Sequence, residues 1–220
     1  MEIKLKRLFV LDIDGTLIDS TSVHQKAFLN AVSDLVGPVE NTDWSSYLDH
    51  TDSGIFRDIL KQKRLSPLDE KTVSSFDEKI EAFLNQHIIH SPLFEIDGAK
   101  KFLNLLESQN IPYCFATGSM RKAAILKLQT ITSYPNLAVL TTANEFQTRE
   151  EIVSEAITQA KQFFNVADFD EIISVGDGIW DFRTAKNLNL KFWGIGNRLD
   201  SLVEKEEIFK NFNEVLEQKY

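Results

Sequence analysis

Short apolar runs alternate with longer amphipathic segments along most of the chain. Strands are predicted for the apolar runs, which are RLFVLDI, IPYCFATG, LAVLTT, EIISVGDG and LKFWGIG. Helices are predicted where apolar residues recur at helical spacing, in SVHQKAFLNAVSDLVG, DGAKKFLNLLESQN, RKAAILKLQTI, REEIVSEAITQAKQFF, WDFRTAKNL and the tail IFKNFNEVLEQKY. Buried strands that alternate with helices are typical of a parallel sheet covered on both faces. The pattern therefore predicts an α/β fold.

Polar side chains follow three of the predicted strands. They are Asp12 and Asp14 after the first, Thr117, Gly118 and Ser119 after the second, and Asp177 and Asp181 after a later one. Each pair alone could be an ordinary turn. In parallel sheets, however, ligands bind beyond the carboxyl ends of the strands, so these side chains would meet in one crevice. Up to four carboxylates repel one another unless a cation lies among them, which predicts a hard metal ion with chemistry beside it.

Composition narrows the class of protein. The 220 residues are 43% hydrophobic and 26% charged, which is typical of a globular chain with one large domain or a core and an insertion. No apolar run approaches the roughly 20 residues of a membrane span, and Asp12 and Asp14 interrupt the first run too early for a signal peptide. The net charge of −9 argues against nucleic acid as a partner. The single cysteine, Cys114, excludes an internal disulfide, so we expect a cytoplasmic location.

Three of these segments resemble motifs of the haloacid dehalogenase-like hydrolase superfamily, in the same order and with similar wide spacing. They are DIDGTL, FATGS and GDGIWD. The polar, helical stretch between the first two is similar to the cap of the phosphoglycolate phosphatase and β-phosphoglucomutase branch. The resemblance implies a Rossmann-like core of residues 1–18 and 93–220 with a helical cap at 19–92. Polar hinges near Ser20-Thr21-Ser22 and Ser91-Pro92 would let the cap close and exclude water.

The resemblance implies that Asp12 and Asp14 carry the chemistry. Asp12 would attack phosphorus and form an aspartyl-phosphate, whereas Asp14 would protonate the leaving oxygen and then activate water. Two acids that are two residues apart on an extended chain point the same way, which suits such a pair. Different surroundings could keep Asp12 ionised and Asp14 protonated, as acid and base work requires.

The resemblance also implies residues that bind metal and phosphate. Asp12, the main-chain carbonyl of Asp14, and Asp177 would bind Mg²⁺, and Asp181 would hold the waters of the metal or orient Asp177. The Thr117 hydroxyl would hydrogen-bond a phosphoryl oxygen, helped by backbone N–H groups near Ile13 and Gly118. Mg²⁺ offsets the charge of both the acids and a phosphate, so an acidic protein could take an anionic substrate.

The third motif of the family is normally a lysine at the start of the helix after the third strand, and no lysine stands there. Arg149 occupies the first helical position, behind the predicted cap Thr148 and its capping-box partner Glu151. A cation at a helix start is unfavourable with the helix dipole, which favours a function for it. We predict that Arg149 replaces the lysine, with the planar fork of a guanidinium in place of an ammonium.

Other polar residues of the insert have simpler interpretations. His24 lies on the first predicted helix, where we expect a solvated or hydrogen-bonded residue. The cap cations are expected to form a solvated face from which one could contact the far end of a substrate, and they are Arg57, Lys61, Lys63 and Arg64.

The function predicted from these features is Mg²⁺-dependent hydrolysis of a small phosphorylated metabolite. One alternative is a phosphomutase of the β-phosphoglucomutase type, which a bisphosphate intermediate would distinguish. Another is a non-catalytic binding or regulatory protein on the same scaffold. A dehalogenase is disfavoured because family dehalogenases lack an acid at the place of Asp14. No motif encodes the substrate or the oligomeric state.

Overall fold

The computed structural model describes residues 6–132, 139–199 and 207–220. The elements follow in chain order as β1 (Arg7–Leu11), β2 (Ile18–Asp19), α1 (Thr21–Val36), a 3₁₀ turn (Trp44–Ser46), α2 (Asp52–Gln62), α3 (Glu70–Ile88), β3 (Phe94–Glu95), α4 (Ala99–Ser108), β4 (Tyr113–Ala116), α5 (Arg121–Leu128), β5 (Leu140–Thr141), α6 (Arg149–Phe163), β6 (Glu171–Gly176), α7 (Ile179–Asn187), β7 (Lys191–Ile195), β8 (Glu207–Phe209) and α8 (Phe212–Lys219). None of the helices in these ranges is long and apolar enough to cross a membrane.

Within the described residues, six strands form one sheet in the order β5-β4-β1-β6-β7-β8. Every neighbouring pair in this sheet is parallel. The first strand lies near the centre, so the turn that follows it opens between the carboxyl ends of β4 and β6. The predicted α/β fold with a Rossmann-like parallel sheet is confirmed.

The core lies on both faces of the sheet because successive residues of a strand point to opposite sides. Leu8 and Val10 of β1 pack on the face that carries α6, whereas Phe9 and Leu11 pack on the face that carries α4 and α8. All four side chains are almost completely buried. This explains why β1 reads as a continuous apolar run instead of an alternating one.

The helices α1, α2 and α3 are inserted between β1 and β4. Their own contacts include the aromatic rings of Phe28, Phe56 and Phe76, of which Phe56 and Phe76 have ring centroids 4.4 Å apart. Both crossings of the chain between the sheet and these helices pass through an antiparallel ribbon of β2 and β3, which the sequence did not predict. The cap boundaries at 19–92 stay a prediction. The expected hinge near Ser20-Thr21-Ser22 also stays a prediction, and α1 begins within it at Thr21.

The helix predicted for the whole tail is wrong at its start. Ile208 and Phe209 belong to β8, which pairs with Gly194 and Ile195 of β7. Phe209 is buried there, and this burial depends on a neighbouring strand that a local pattern does not reveal. The helix starts only after Asn211, whose side chain caps it. In the predicted strand LAVLTT, β5 comprises Leu140–Thr141, and residues 137–138 lie outside the described residues.

Candidate active site

The turn after β1 holds Asp12 beside the end of β6. The Asp12 N–H donates to the Val175 carbonyl at 3.0 Å, and the Thr16 hydroxyl donates to the Asp12 carboxylate at 3.1 Å. Gly15 adopts a φ of +80°, and a Cβ there would lie 2.3 Å from an oxygen of Asp177. Only glycine suits both the backbone conformation and this close approach. The sequence DIDGT therefore brings Asp12 and Asp177 together.

Three buried carboxylates meet at this point and form what we term the carboxylate cluster, which is Asp12, Asp177 and Asp181. One oxygen of each lies within 4.8 Å of the others. Burial and then the charge of Asp181 raise the pKa of Asp12 to about 7, and burial and then the charge of Asp12 raise the pKa of Asp177 to about 7. Burial also raises the pKa of Asp181 to about 6. The cluster thus concentrates negative charge on oxygen atoms, which are the ligands that Mg²⁺ prefers.

Arg149 lies against this cluster. Its Nη1 donates to Asp12 at 2.9 Å and to Asp181 at 3.0 Å, and its Nε donates to the carbonyl of His50 at 2.9 Å. The predicted capping box at Thr148 is present and fixes the start of α6, from which the side chain projects. Burial would lower the pKa of Arg149, but the charges of Asp181 and Asp12 outweigh it and raise the pKa above its usual range. The guanidinium is therefore a permanent cation beside Asp12.

A second guanidinium reaches the cluster from the loop after β7. Nη1 of Arg198 donates to Asp177 at 2.8 Å, although the Arg198 side chain is 58% exposed. Because this side chain is largely in solvent, the pair adds less than the buried contact of Arg149. Asp177 therefore pairs with a largely exposed guanidinium, whereas Asp12 and Asp181 pair with a largely buried one.

The Asp14 carboxylate lies apart from the carboxylate cluster, in contact with a lysine. Nζ of Lys127 lies 2.6 Å from Oδ1 and 2.7 Å from Oδ2 of Asp14, and the hydroxyls of Ser20 and Ser119 also donate to this carboxylate. Lys127 is completely buried. Burial would raise the pKa of Asp14, but the charges of Lys127 and His24 and the hydrogen bonds hold it well below its usual range. Asp14 is therefore a stable carboxylate in this arrangement.

The lysine contact continues into the inserted helices. Nζ of Lys127 lies 3.0 Å from His24 Nδ1, and His24 Nε2 lies 3.0 Å from Asp52 Oδ1. Asp52 in turn accepts from the Met120 N–H at 2.8 Å, and its own N–H donates to the Gly118 carbonyl at 2.7 Å. We term this group the lysine cluster, which is Asp14, His24, Asp52, Ser119 and Lys127. It joins α1 and α2 to the loop after β4 through buried polar contacts.

A cavity of about 110 Å³ lies between the inserted helices and the carboxyl edge of the sheet. On the core side it is bordered by Asp14, Thr117, Gly118, Ser119, Arg149 and Trp180. On the other side it is bordered by Thr21, His24, Gln25, Phe28, Trp44, His50, Thr51, Asp52 and Ile55. Three residues predicted to bind phosphate, Thr117, Gly118 and Arg149, thus share one cavity with Asp14. Ile13 buries its side chain in the core, so only its backbone could reach the site.

A model of the haloacid dehalogenase-like hydrolase family matches residues 9–195. The chain belongs to this family. No curated protein is similar enough to match it.

Solved structures show the same fold as this haloacid dehalogenase-like hydrolase. A hydrolase from Pseudomonas syringae aligns with a TM-score of 0.70 and 18% identity over 98% of this chain and 97% of its own. A predicted phosphoglycolate phosphatase from Haemophilus somnus 129PT has a TM-score of 0.63 and 16% identity over 100% of both chains. A β-phosphoglucomutase from Pyrococcus sp. strain ST 04 has a TM-score of 0.55 and 19% identity over 94% of both. At these identities the likeness concerns the fold alone.

The structure departs from the sequence-based expectations for this family member at Asp14. We expected up to four carboxylates in one crevice, but three gather there and Asp14 turns to Lys127 instead. The surroundings raise the pKa of Asp12 to about 7 and lower that of Asp14, whereas the expected chemistry needs Asp12 ionised and Asp14 protonated. Lys127 was interpreted only as part of a helix. The available signal was its place in the buried stripe of α5, next to Ala123, Ala124 and Leu128, where a lysine needs a partner.

Proposed function

We propose that this haloacid dehalogenase-like hydrolase is a Mg²⁺-dependent phosphatase that hydrolyses a small phosphomonoester through an aspartyl-phosphate. The observation that carries the proposal is the contact of Arg149 with Asp12 at the edge of a cavity that also contains Asp14 and Thr117. A nucleophile, a cation for the phosphoryl group and a proton-transfer group are thereby close together. The expected substrate is a phosphorylated metabolite of the cytoplasm.

The donor set supports a bound Mg²⁺. Asp12, Asp177 and the main-chain carbonyl of Asp14 would hold the ion, and Asp181 would orient Asp177 or bind water. The oxygens of the carboxylate cluster lie within 4.8 Å of one another, and the raised pKa values of Asp12 and Asp177 mean that a cation would relieve their repulsion. When bound, the ion would neutralise charge on the phosphoryl oxygens.

The reaction would run in two steps. The Asp12 carboxylate attacks phosphorus, the bond from phosphorus to the ester oxygen breaks, and that oxygen takes up a proton. Arg149 stabilises the charge on the phosphoryl oxygens, and Thr117 and Gly118 supply hydrogen bonds. Water then attacks the aspartyl-phosphate, which releases inorganic phosphate and restores Asp12.

Asp14 is the candidate for both proton transfers. Since Lys127 and Ser119 hold it as a carboxylate, it is ready to accept the proton of the attacking water. To donate a proton in the first step it must be protonated, and weakening of the Lys127 contact is the direct route to that state. The contacts of Asp14 support the base role more directly than the acid role.

Replacement of the nucleophile tests the proposal. Asp12→Asn should lower turnover at least about a thousandfold, because the amide cannot form the aspartyl-phosphate. Phosphate release from benzyl phosphate with Mg²⁺ would be measured beside circular dichroism. Asp168→Asn, the same change at a carboxylate whose side chain is 73% exposed, is the control and should keep native activity. Near-native turnover of a folded Asp12→Asn variant would exclude the nucleophile assignment.

Two further assays distinguish a phosphatase from the two alternatives that the sequence leaves open. With a sugar phosphate in place of benzyl phosphate, a phosphomutase would pass the phosphoryl group to the sugar phosphate, so ³¹P NMR would show a sugar bisphosphate intermediate and little free phosphate. A non-catalytic protein on this scaffold would release phosphate from no ester with any divalent ion.

A further inference from the structure

Part of the cavity lining, which we term the aromatic wall, consists of the rings of Phe28, Trp44, His50 and Trp180. Phe28 and Trp44 meet edge to face, with ring centroids 5.2 Å apart and an interplanar angle of 90°. His50 stacks on Trp180, with centroids 4.9 Å apart and an angle of 19°. The Trp180 ring lies so close to Gly178 that a Cβ there would be 2.1 Å from it. These contacts fix the rings, so the wall is a preformed apolar surface.

The charged groups that border the cavity already have partners. Arg149 contacts Asp12 and Asp181, and His24 contacts Asp52. Two other charged residues of the lining, Asp14 and Asp52, are carboxylates. Among the described lining residues, each cationic side chain already has an acidic partner, so a second carboxylate or phosphate would have to break one of these pairs.

The cap cations do not supply a cation for a second anionic group either. Arg57 pairs with Asp49 and Gln147, and Lys63 donates to the Pro38 carbonyl at 2.8 Å. Neither Arg57 nor Lys63 borders the cavity. The expectation that one of these cations contacts the far end of the substrate therefore has no support from the described contacts.

The size of the cavity sets a further limit. Its volume of about 110 Å³ is of the same order as the roughly 150 Å³ of an apolar cavity that binds benzene, so one small ring is about the largest group that it holds. The uncharged side chains of Thr21 and Gln25 border it and could hydrogen-bond one neutral hydroxyl group. A single small ring or a short alcohol fits within this volume.

We propose that this cavity receives the leaving group of the substrate and selects a small, uncharged and apolar one, such as a short or arylmethyl alcohol. This proposal rests on the proposed phosphatase function, because the phosphoryl group must lie between Asp12 and Arg149 for the leaving group to enter the cavity. The substrates of this protein would then differ in class from phosphoglycolate and from sugar bisphosphates, on which other enzymes act.

A matched pair of esters tests the charge preference. In 2-hydroxyethyl phosphate a CH₂OH group takes the place of the carboxylate of 2-phosphoglycolate, so the two differ mainly in charge. With Mg²⁺, kcat/KM should be at least about tenfold higher for the neutral ester. Benzyl phosphate should exceed 2-hydroxyethyl phosphate, because its ring covers the aromatic wall, and glucose 1-phosphate should be the poorest. Equal or higher efficiency with 2-phosphoglycolate overturns the inference.

Variants of the lining extend the test. Gln25→Lys places a cation at the cavity and should shift the ratio of efficiencies toward 2-phosphoglycolate by at least about tenfold, whereas the neutral Gln25→Met should not. Trp44→Ala should reduce the benzyl preference more than about threefold, and Phe163→Ala, at a ring 45% exposed on α6, should leave it unchanged. An unaltered ratio in the folded Gln25→Lys variant also counts against the inference.

The outcomes distinguish the two proposals. If no ester is hydrolysed by the metal-loaded protein, the phosphatase function fails. If esters are hydrolysed without the expected order, the phosphatase function stands and the inference about the leaving group is wrong.

Discussion

Asp12 and Asp14 leave the same turn after β1, but their carboxylates enter two different groups of charges. Asp12 joins Asp177 and Asp181, where burial and like charge raise the pKa of all three side chains. Asp14 joins Lys127, whose charge outweighs burial and lowers the pKa of Asp14. Two residues of sequence therefore separate a carboxylate that resists ionisation from one that is held ionised.

The difference lies in the supply of cations from the protein itself. The lysine cluster contains a fully buried ammonium that contacts Asp14, so its charges are balanced internally. The carboxylate cluster has two cationic neighbours, the largely buried Arg149 and the largely exposed Arg198. Their charges do not outweigh burial and mutual repulsion, so the pKa values of the three acids remain raised. We infer that the first group is complete as it folds, whereas the second is built to receive an external cation. The following experiments test this difference between the lysine cluster and the carboxylate cluster.

Removal of divalent ions should have the largest effect. EDTA should abolish phosphate release from benzyl phosphate, Mg²⁺ should restore it fully, and Ca²⁺ should restore it poorly because it prefers longer bonds and more ligands. Steady-state rates in each ion would be compared. Full activity in EDTA would mean that the carboxylate cluster needs no cation.

Loss of the buried ammonium should destabilise the fold. Lys127→Met should lower the free energy of unfolding by about 3 kcal/mol at pH 7, the low end for a broken buried pair because Asp14 is 17% exposed. The pKa of Asp14 is depressed in the folded protein, so this contribution is present above the unfolded value of 3.8 and is lost as pH falls below it. Urea unfolding at pH 7 and at about pH 2.5, well below the unfolded pKa, would show a smaller difference between the variant and the native protein at the lower pH.

Two further variants make the lysine test specific. Lys122→Met changes a lysine of the same helix whose side chain is 40% exposed, and it should alter stability by under about 0.5 kcal/mol. Lys127→Met combined with Asp14→Asn should recover part of the loss, because no unpaired charge is left in the interior. If Lys127→Met is as mild as Lys122→Met, the lysine cluster is not held by the ion pair.

Replacement of Arg149, the cation beside the carboxylate cluster, should lower catalytic efficiency. Arg149→Ala should lower kcat/KM by about 10²–10³-fold, as expected for loss of one group that stabilises the transition state. Arg149→Lys should recover part of this, since the charge returns without the planar fork. Both variants should fold, as circular dichroism would show. An Ala variant within about threefold of the native protein would assign the cation role elsewhere.

The smallest expected effect is on the pH dependence of stability. The raised pKa values of Asp12 and Asp177, both about 7, mean that the metal-free fold loses stability as pH rises from about 4 through 7. Mg²⁺ favours the ionised forms, so the increase in Tm that it causes should grow between pH 5.5 and pH 7.5. Asp177→Asn should weaken that increase. An increase in Tm that is independent of pH would contradict these titrations.

The strand ends of the site could be predicted from the sequence because each is encoded by a short continuous pattern. An apolar run followed by Asp12, Thr117 or Asp177 reveals both the strand and the side chain beyond it. A parallel sheet then brings such ends to one edge without any further information. For Arg149, the capping residues Thr148 and Glu151 indicated where its helix starts and hence its position near that edge.

The lysine cluster could not be predicted in the same way. Lys127 is 113 residues from Asp14 in the sequence, and their contact depends on how α5 packs under the loop after β4. His24 and Asp52 reach the group only because the inserted helices lie against the sheet. The edge strand β8 was missed for a related reason, since Phe209 is fixed by β7 and not by its neighbours in the chain.

The ribbon of β2 and β3 has a mechanical consequence for the inserted helices. Both chain crossings are coupled by the pairing of Ile18 with Glu95 and of Asp19 with Phe94. Because the two crossings are hydrogen-bonded to each other as an antiparallel ribbon, they should resist sliding and twisting more than two separate linkers would. We therefore expect α1 to α3 to move against the sheet mainly as one body, about an axis through this ribbon. Phe28 and His24, both on α1, would move together, so one ring of the aromatic wall and one partner of Lys127 would leave the site at the same time.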